Sequence, residues 1–121
     1  MFQVQVARVY DVPEEKGSAS RVLVDRLWPR GVKKDSLGLD AWAKNAAPST
    51  GLRKSYRHDP EHFEEFADRY LAELAVEPAA SAVAELREMA REKPLILLTA
   101  KRDPEHSHAA VLRAVVTGDP D

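Results

Sequence analysis

Two short stretches of this chain carry side chains able to hold an anion. The first is Arg26-Leu27-Trp28-Pro29-Arg30-Gly31, directly after the apolar run Val22-Leu23-Val24. Arginine grips carboxylate or phosphate in a fixed two-point geometry, and at the C-terminal end of a strand in an open α/β sheet it stands where such folds take ligands. The second is Thr99-Ala100-Lys101-Arg102, which follows Leu95-Ile96-Leu97-Leu98 and leads into Asp103-Pro104-Glu105, a helix start. Free backbone N–H groups and the positive end of the helix dipole gather at such a start, and Lys101 and Arg102 add charge. The stretch lacks the glycines of a P-loop or a dinucleotide fingerprint, which speaks against a nucleoside triphosphate or a dinucleotide. A charged surface loop anchored by Trp28, and a plain strand-to-helix turn, would contain the same residues.

A third basic cluster, Arg53-Lys54-Ser55-Tyr56-Arg57-His58, precedes another helix start and is placed to fold over the same site. The candidate anion-binding residues are therefore Arg26, Trp28, Arg30, Lys54, Thr99 and Arg102. For proton transfer the candidates are His106, His108 and Asp25. His106 and His108 are two apart, so on a helix they point in different directions, against the three- or four-residue spacing of a metal face. Asp25, between an apolar strand and Arg26, is either a general base or the partner of the arginines. His58 and His62 are four apart but straddle a helix cap, and read first as capping and surface residues. No metal site and no bound cofactor are expected. The chain has no Gly-x-Ser-x-Gly elbow and no His-Glu-x-x-His.

These groups need a scaffold. Phe2, Val4 and Val6 alternate with Gln3 and Gln5, the pattern of a half-buried strand reaching Val9. A polar loop over 11–20 leads to a second strand over 21–27. That link is too short for a helical crossover, which favours an antiparallel pair. Leu37, Leu39 and Trp42 suggest a short or irregular helix over 35–44, followed by a loop at 47–51. Asp59-Pro60-Glu61 starts a helix whose inner face is Phe63, Phe66, Tyr70 and Leu74. A further helix spans 79–92, and Leu95–Leu98 is a central strand buried on both faces. The last helix begins at Asp103-Pro104-Glu105, with Val111, Leu112, Val115 and Val116 inward. Residues 1–116 form one domain in this reading, and 117–121 a frayed tail.

Composition bounds the possibilities. With 121 residues, 44% of them hydrophobic and 31% charged, the chain fits one globular core. Cysteine is absent, which excludes disulfides and thiol chemistry. No apolar run is long enough to span a bilayer, and the N-terminus lacks a secretory pattern, so a cytoplasmic location and no membrane partner are expected. Net charge is −2, yet residues 21–57 hold nine Lys or Arg against three Asp. That asymmetry suits an anionic ligand, or two halves of one fold that attract each other. It also suits a nucleic-acid backbone, but a pI near 6.1 and 7% aromatic residues offer neither a long basic helix nor a stacking platform.

Several of these motifs occur together in one known pattern. Arg21 to Gly31, then Ala47-Pro48-Ser49-Thr50 leading to Leu52-Arg53-Lys54, His58-Asp59-Pro60, and Asp103-x-Glu105-His106-x-His108-Ala109 before Val111-Leu112, resemble the YeaO-like family of the domain of unknown function 488. The resemblance runs from about residue 2 to 116. It implies a small bacterial α/β protein and no particular activity. Where this chain has Thr99, the family pattern commonly has tyrosine; Ser55, Arg57, Lys101 and Ser107 also depart from it. Thr99 removes a phenol from the strand end, while Arg57 and Lys101 add charge.

The resemblance implies a small Rossmann-like α/β domain, with a short, mainly parallel central sheet flanked by helices and the strands near 2–9, 22–27 and 95–99 side by side. That conflicts with an antiparallel first pair. Three functions fit the residues: a protein binding a phosphate- or carboxylate-bearing small molecule, with or without catalysis; a nucleic-acid-associated protein using the 21–57 face; and a partner-binding module without chemistry. Oligomeric state is not legible.

Overall fold

The computed structural model describes residues 3–12, 17–33, 35–56 and 60–118. Its centre is a four-stranded, all-parallel sheet in the order β1-β4-β2-β3, formed by β1 (Val4–Arg8), β2 (Ser20–Leu23), β3 (Ala41–Trp42) and β4 (Leu95–Thr99). β4 is central: it pairs with β1 from Val4↔Leu95 to Arg8↔Thr99, and with β2 from Ser20↔Leu95 to Leu23↔Leu98. Its continuous apolar sequence follows from that position, because a strand with a neighbour on each side and cover on each face has no solvent-facing residues.

The antiparallel first pair is therefore corrected. β1 and β2 are not partners; β4 lies between them. The link from β1 to β2 passes across β4, so its shortness carried no information about the direction of pairing. A 3₁₀ turn at Val9–Asp11 begins the crossing.

Side-chain alternation divides the interior in two. Val22, Val24, Leu95 and Leu97 form one cluster with the buried faces of α1 (Thr50–Tyr56), α2 (Phe63–Leu74), α3 (Ala79–Glu92) and α4 (His108–Thr117). Leu23 and Leu98 form the other, covered by Val9, Leu37 and the half-buried Trp28 and Trp42 rather than by helices. Leu95, Leu97 and Leu98 are fully buried, each contributing roughly 1.5–3 kcal/mol of transfer free energy. No helix among the described residues is long and apolar enough to cross a membrane.

Four element boundaries differ from the sequence reading. The expected helix over 35–44 is a turn followed by β3, held to β2 by Asp40 N–H donating to the Arg21 carbonyl and Ala43 N–H to that of Leu23, each at 2.8 Å. Residues 50–56, read as loop and basic cluster, form α1, whose N-cap is Ser49: its hydroxyl accepts the Leu52 N–H at 3.1 Å. The last helix begins later than Asp103. Pro104–His106 is a 3₁₀ turn, and α4 starts at His108 with Ser107 as its N-cap, accepting the Ala109 N–H at 3.1 Å. α2 likewise starts at Phe63 after a 3₁₀ turn, and the proposed Asp59 cap lies outside the described residues, as do Arg57 and His58. Thr117 ends α4 and Gly118, with φ 74°, closes it; residues 119–121 lie outside the described chain.

Candidate functional site

Beyond Leu23 the backbone of β2 runs on beside β4, with Val24 N–H donating to the Leu98 carbonyl at 3.0 Å. This places Asp25 at the C-terminal edge of the sheet, against the end of β4. One Asp25 oxygen accepts the Thr99 hydroxyl at 2.7 Å and lies 3.2 Å from His108 Nε2. The other accepts the Ala100 N–H at 2.8 Å. His108 Nε2 also lies 3.0 Å from the Val24 carbonyl. Both neighbours of that nitrogen are acceptors, so it carries the proton. Burial pushes the Asp25 carboxyl up, but the hydrogen bond and charge of His108, with the Ala100 N–H and Thr99 hydroxyl, outweigh it and hold the carboxyl below its ordinary value.

A second set of bonds fixes the segment that faces this edge. Arg26 donates from Nε to the Pro48 carbonyl and from a terminal nitrogen to that of Ala47, each at 3.2 Å. Tyr70, fully buried, donates its hydroxyl to the Ala46 carbonyl. Glu73 accepts the Ser49 N–H at 2.8 Å and the Ser49 hydroxyl at 2.5 Å. Residues 46–49 are thus tied to β2 and to α2, and Pro48 becomes a fixed wall.

Two clefts meet at this wall. The larger, about 760 Å³, is bounded by Pro48, by Arg53 and Tyr56 of α1, by Phe63 and Phe66 of α2, and by the stretches Ala100–Asp103 and His106–His108. The smaller, about 250 Å³, lies over Asp25 and the turn from Arg26 to Arg30. Pro48, Arg53, Ala100, Lys101 and His108 border both. Lys101 is half-buried; burial lowers its ammonium pKa and Arg53 adds to this, while Asp25 opposes it.

The sequence-derived candidates are distributed as follows. Arg26, Trp28, Arg30, Asp25 and His108 line the smaller cleft, whereas Arg102, His106 and again His108 line the larger. Arg26 is part-buried and engaged with two carbonyls; Arg30 and Arg102 are exposed. Trp28 donates its N–H to the Val32 carbonyl at 2.7 Å and meets Trp42 edge to face at 5.3 Å, in a turn that Gly31 completes with φ 78°. Trp42 donates to the Asp25 carbonyl at 2.7 Å. Thr99 is fully buried and Lys54 exposed, and neither lines a cleft. His106 is exposed beside Asp103 at 2.7 Å. Glu105 pairs with Arg113 at 2.7 Å and not with a histidine. Arg21, counted in the basic face, is buried and donates to the Leu37 carbonyl at 3.0 Å.

From the cluster placed over the site, sequence reasoning chose Lys54 as the ligand-binding residue and not Arg53 or Tyr56; it read Phe63 as core and passed over Pro48. Yet Arg53, Tyr56, Phe63 and Pro48 all border the larger cleft. Pro48-Ser49-Thr50 was the available signal, since a serine after proline is a helix N-cap pattern and would have put Arg53 and Tyr56 on one helical face. Chemically, the larger cleft offers three cations, Arg53, Lys101 and Arg102, and an aromatic wall, and the smaller one adds Asp25, a largely shielded acid whose oxygens are already occupied. Among the described residues, no group of three or more His, Asp or Glu side chains could hold a metal ion.

The model of the family described as "Inactive DUF488-N3 subclade" matches residues 3–119. The uncharacterized protein Rv3073c of Mycobacterium tuberculosis is 45% identical over 96% of this chain and 95% of its own length. The uncharacterized protein YeaO of Escherichia coli is 43% identical over 92% of this chain and 94% of its own. No solved structure matches.

Proposed function

For a chain that belongs to the inactive DUF488-N3 subclade, we propose that the strand-end cleft binds a small anionic molecule, bearing phosphate or carboxylate, without turning it over. The observation that carries this reading is the convergence of Arg53, Lys101 and Arg102 on one concave surface of about 760 Å³. Of the acids among the described residues at the two clefts, Asp103 stands against His106 and Asp25 is filled by three donors. Lys101 supports it further, because a half-buried ammonium gains more from an anionic partner than a solvated one.

Binding without turnover is supported by the same geometry. A general base must reach the proton that it removes. Both Asp25 oxygens accept hydrogen bonds from the fold, and the proton of His108 Nε2 faces Val24 and Asp25. The word "inactive" in the family description points the same way. Association with nucleic acid through the 21–57 face has less support, since Arg21 is buried and Arg26 is spent on backbone carbonyls.

A thermal-shift screen with inorganic phosphate and a panel of phosphorylated and carboxylated metabolites tests the reading. Binding raises the unfolding midpoint in proportion to the logarithm of ligand concentration. Arg53→Ala and Arg102→Ala should each abolish the rise. An unchanged midpoint across the panel, or a rise that survives both substitutions, would overturn it.

A further inference from the structure

We propose, resting on the anion-binding reading above, that the ligand is a planar aromatic ring carrying a phosphate, of which a nucleoside monophosphate is the simplest case. The geometry points to it because the larger cleft has two chemically distinct banks. Tyr56 and Phe63, both half-buried, line it with ring centroids 6.1 Å apart. Phe66, buried, stacks on Tyr56 at 4.5 Å with planes 28° apart, and Tyr70 continues the aromatic row to His108. The wall is thereby braced from behind while its outer rings keep part of their surface in the cleft.

An anion alone needs only charge and hydrogen-bond donors, whereas aromatic lining beside a few placed polar groups suits a ligand that also carries an apolar face. Arg53 lies three residues before Tyr56 on α1, so guanidinium and ring share one helical face. Lys101 and Arg102 supply charge from the β4 side. A ligand with a phosphate at the cations and a ring against Tyr56 and Phe63 uses both banks; a sugar phosphate uses one. The absence of a glycine-rich loop fits a single phosphate group and not a chain of three.

The test is calorimetric titration of the whole chain with four probes: adenosine monophosphate, ribose 5-phosphate, adenosine and inorganic phosphate. Adenosine monophosphate should bind at least about tenfold more tightly than ribose 5-phosphate, as stacking of one base on an aromatic side chain provides. Phe63→Leu keeps an apolar side chain but removes one π-face, and should lower affinity for adenosine monophosphate more than for ribose 5-phosphate, narrowing the preference. Equal affinity of wild-type protein for the two phosphates would overturn this proposal and leave the anion site standing. Silence of every phosphate-bearing probe would overturn the proposal and take phosphate out of the anion reading, leaving the carboxylated members of the thermal-shift panel to decide the rest. Tighter binding of a single-stranded oligonucleotide than of the monophosphate, falling steeply with salt, would also overturn it in favour of a nucleic-acid strand. The comparison between probes on wild-type protein decides the matter even if Phe63→Leu fails to fold.

Discussion

His108 Nε2 stands 3.2 Å from Asp25 Oδ1, joining the first residue of α4 to the end of β2 across 83 residues of chain. Both groups are largely shielded, with side-chain exposures of 5% and 13%. The pair fixes the two elements that frame the cleft, and Thr99 and Ala100 bring the end of β4 into the same knot.

Asp25→Asn should cost about 2–3 kcal/mol, because an amide turns an N–H₂ toward groups that themselves donate. The acid profile should change with it. Folding lowers the Asp25 pKa below its ordinary 3.8, so the stabilisation is present above that value and is lost as pH falls through the folded one. Urea unfolding between pH 5 and pH 2 should show wild-type stability dropping more steeply than that of Asp25→Asn; parallel curves would contradict this.

Tyr70 governs the alkaline limit. Burial raises its phenol well above the ordinary 10.0, and the charges of Glu73 and Asp25 add to this while Arg26 opposes. The folded form stays neutral where the unfolded form ionises, so stability holds below pH 10 and declines as pH rises beyond it. Tyr70→Phe should lose about 1 kcal/mol at neutral pH with the hydrogen bond to Ala46, and the alkaline decline should become shallower. Circular dichroism across that range measures both.

Anion affinity should weaken on the alkaline side earlier than an ordinary lysine allows, since Lys101 titrates below 10.5. As pH rises toward 10.5 the dissociation constant of a phosphate ligand should rise for wild-type protein and stay nearly flat for Lys101→Arg, whose guanidinium keeps its charge. Equal slopes for the two proteins would remove Lys101 from the site.

Trp28→Ala should cost about 3 kcal/mol or somewhat less, near the lower end for a large aromatic, because the ring is only half-buried yet holds Trp42 and the Val32 carbonyl. Intrinsic fluorescence and a denaturant melt would show the change; an unchanged midpoint would mean that the turn from Arg26 to Arg30 does not depend on it.

Much of the frame was legible in the sequence. Leu95–Leu98 announced a central strand through its unbroken apolar run, and α2 and α3 through apolar spacings of three and four. β3 was not legible because two residues set no period; only the bonds from Asp40 and Ala43 to β2 define it. α1 escaped because it is short and contains Gly51. The choice of Lys54 over Arg53 shows the cost of that omission: neighbours on a helix point about 100° apart, so one faces the cleft and the other solvent. For Arg26 and Thr99 the residue types stood out, but their donors go to the carbonyls of Pro48 and Ala47 and to the Asp25 carboxylate, long-range pairings that no local pattern encodes.

Amide chemical-shift mapping during titration with adenosine monophosphate tests the central claim most directly. Binding at the cleft predicts saturable shifts confined to Arg53–Tyr56, to Phe63 and to the stretches Ala100–Asp103 and His106–His108. Shifts that fail to saturate, or that gather on the outer face of α3 instead, would contradict it.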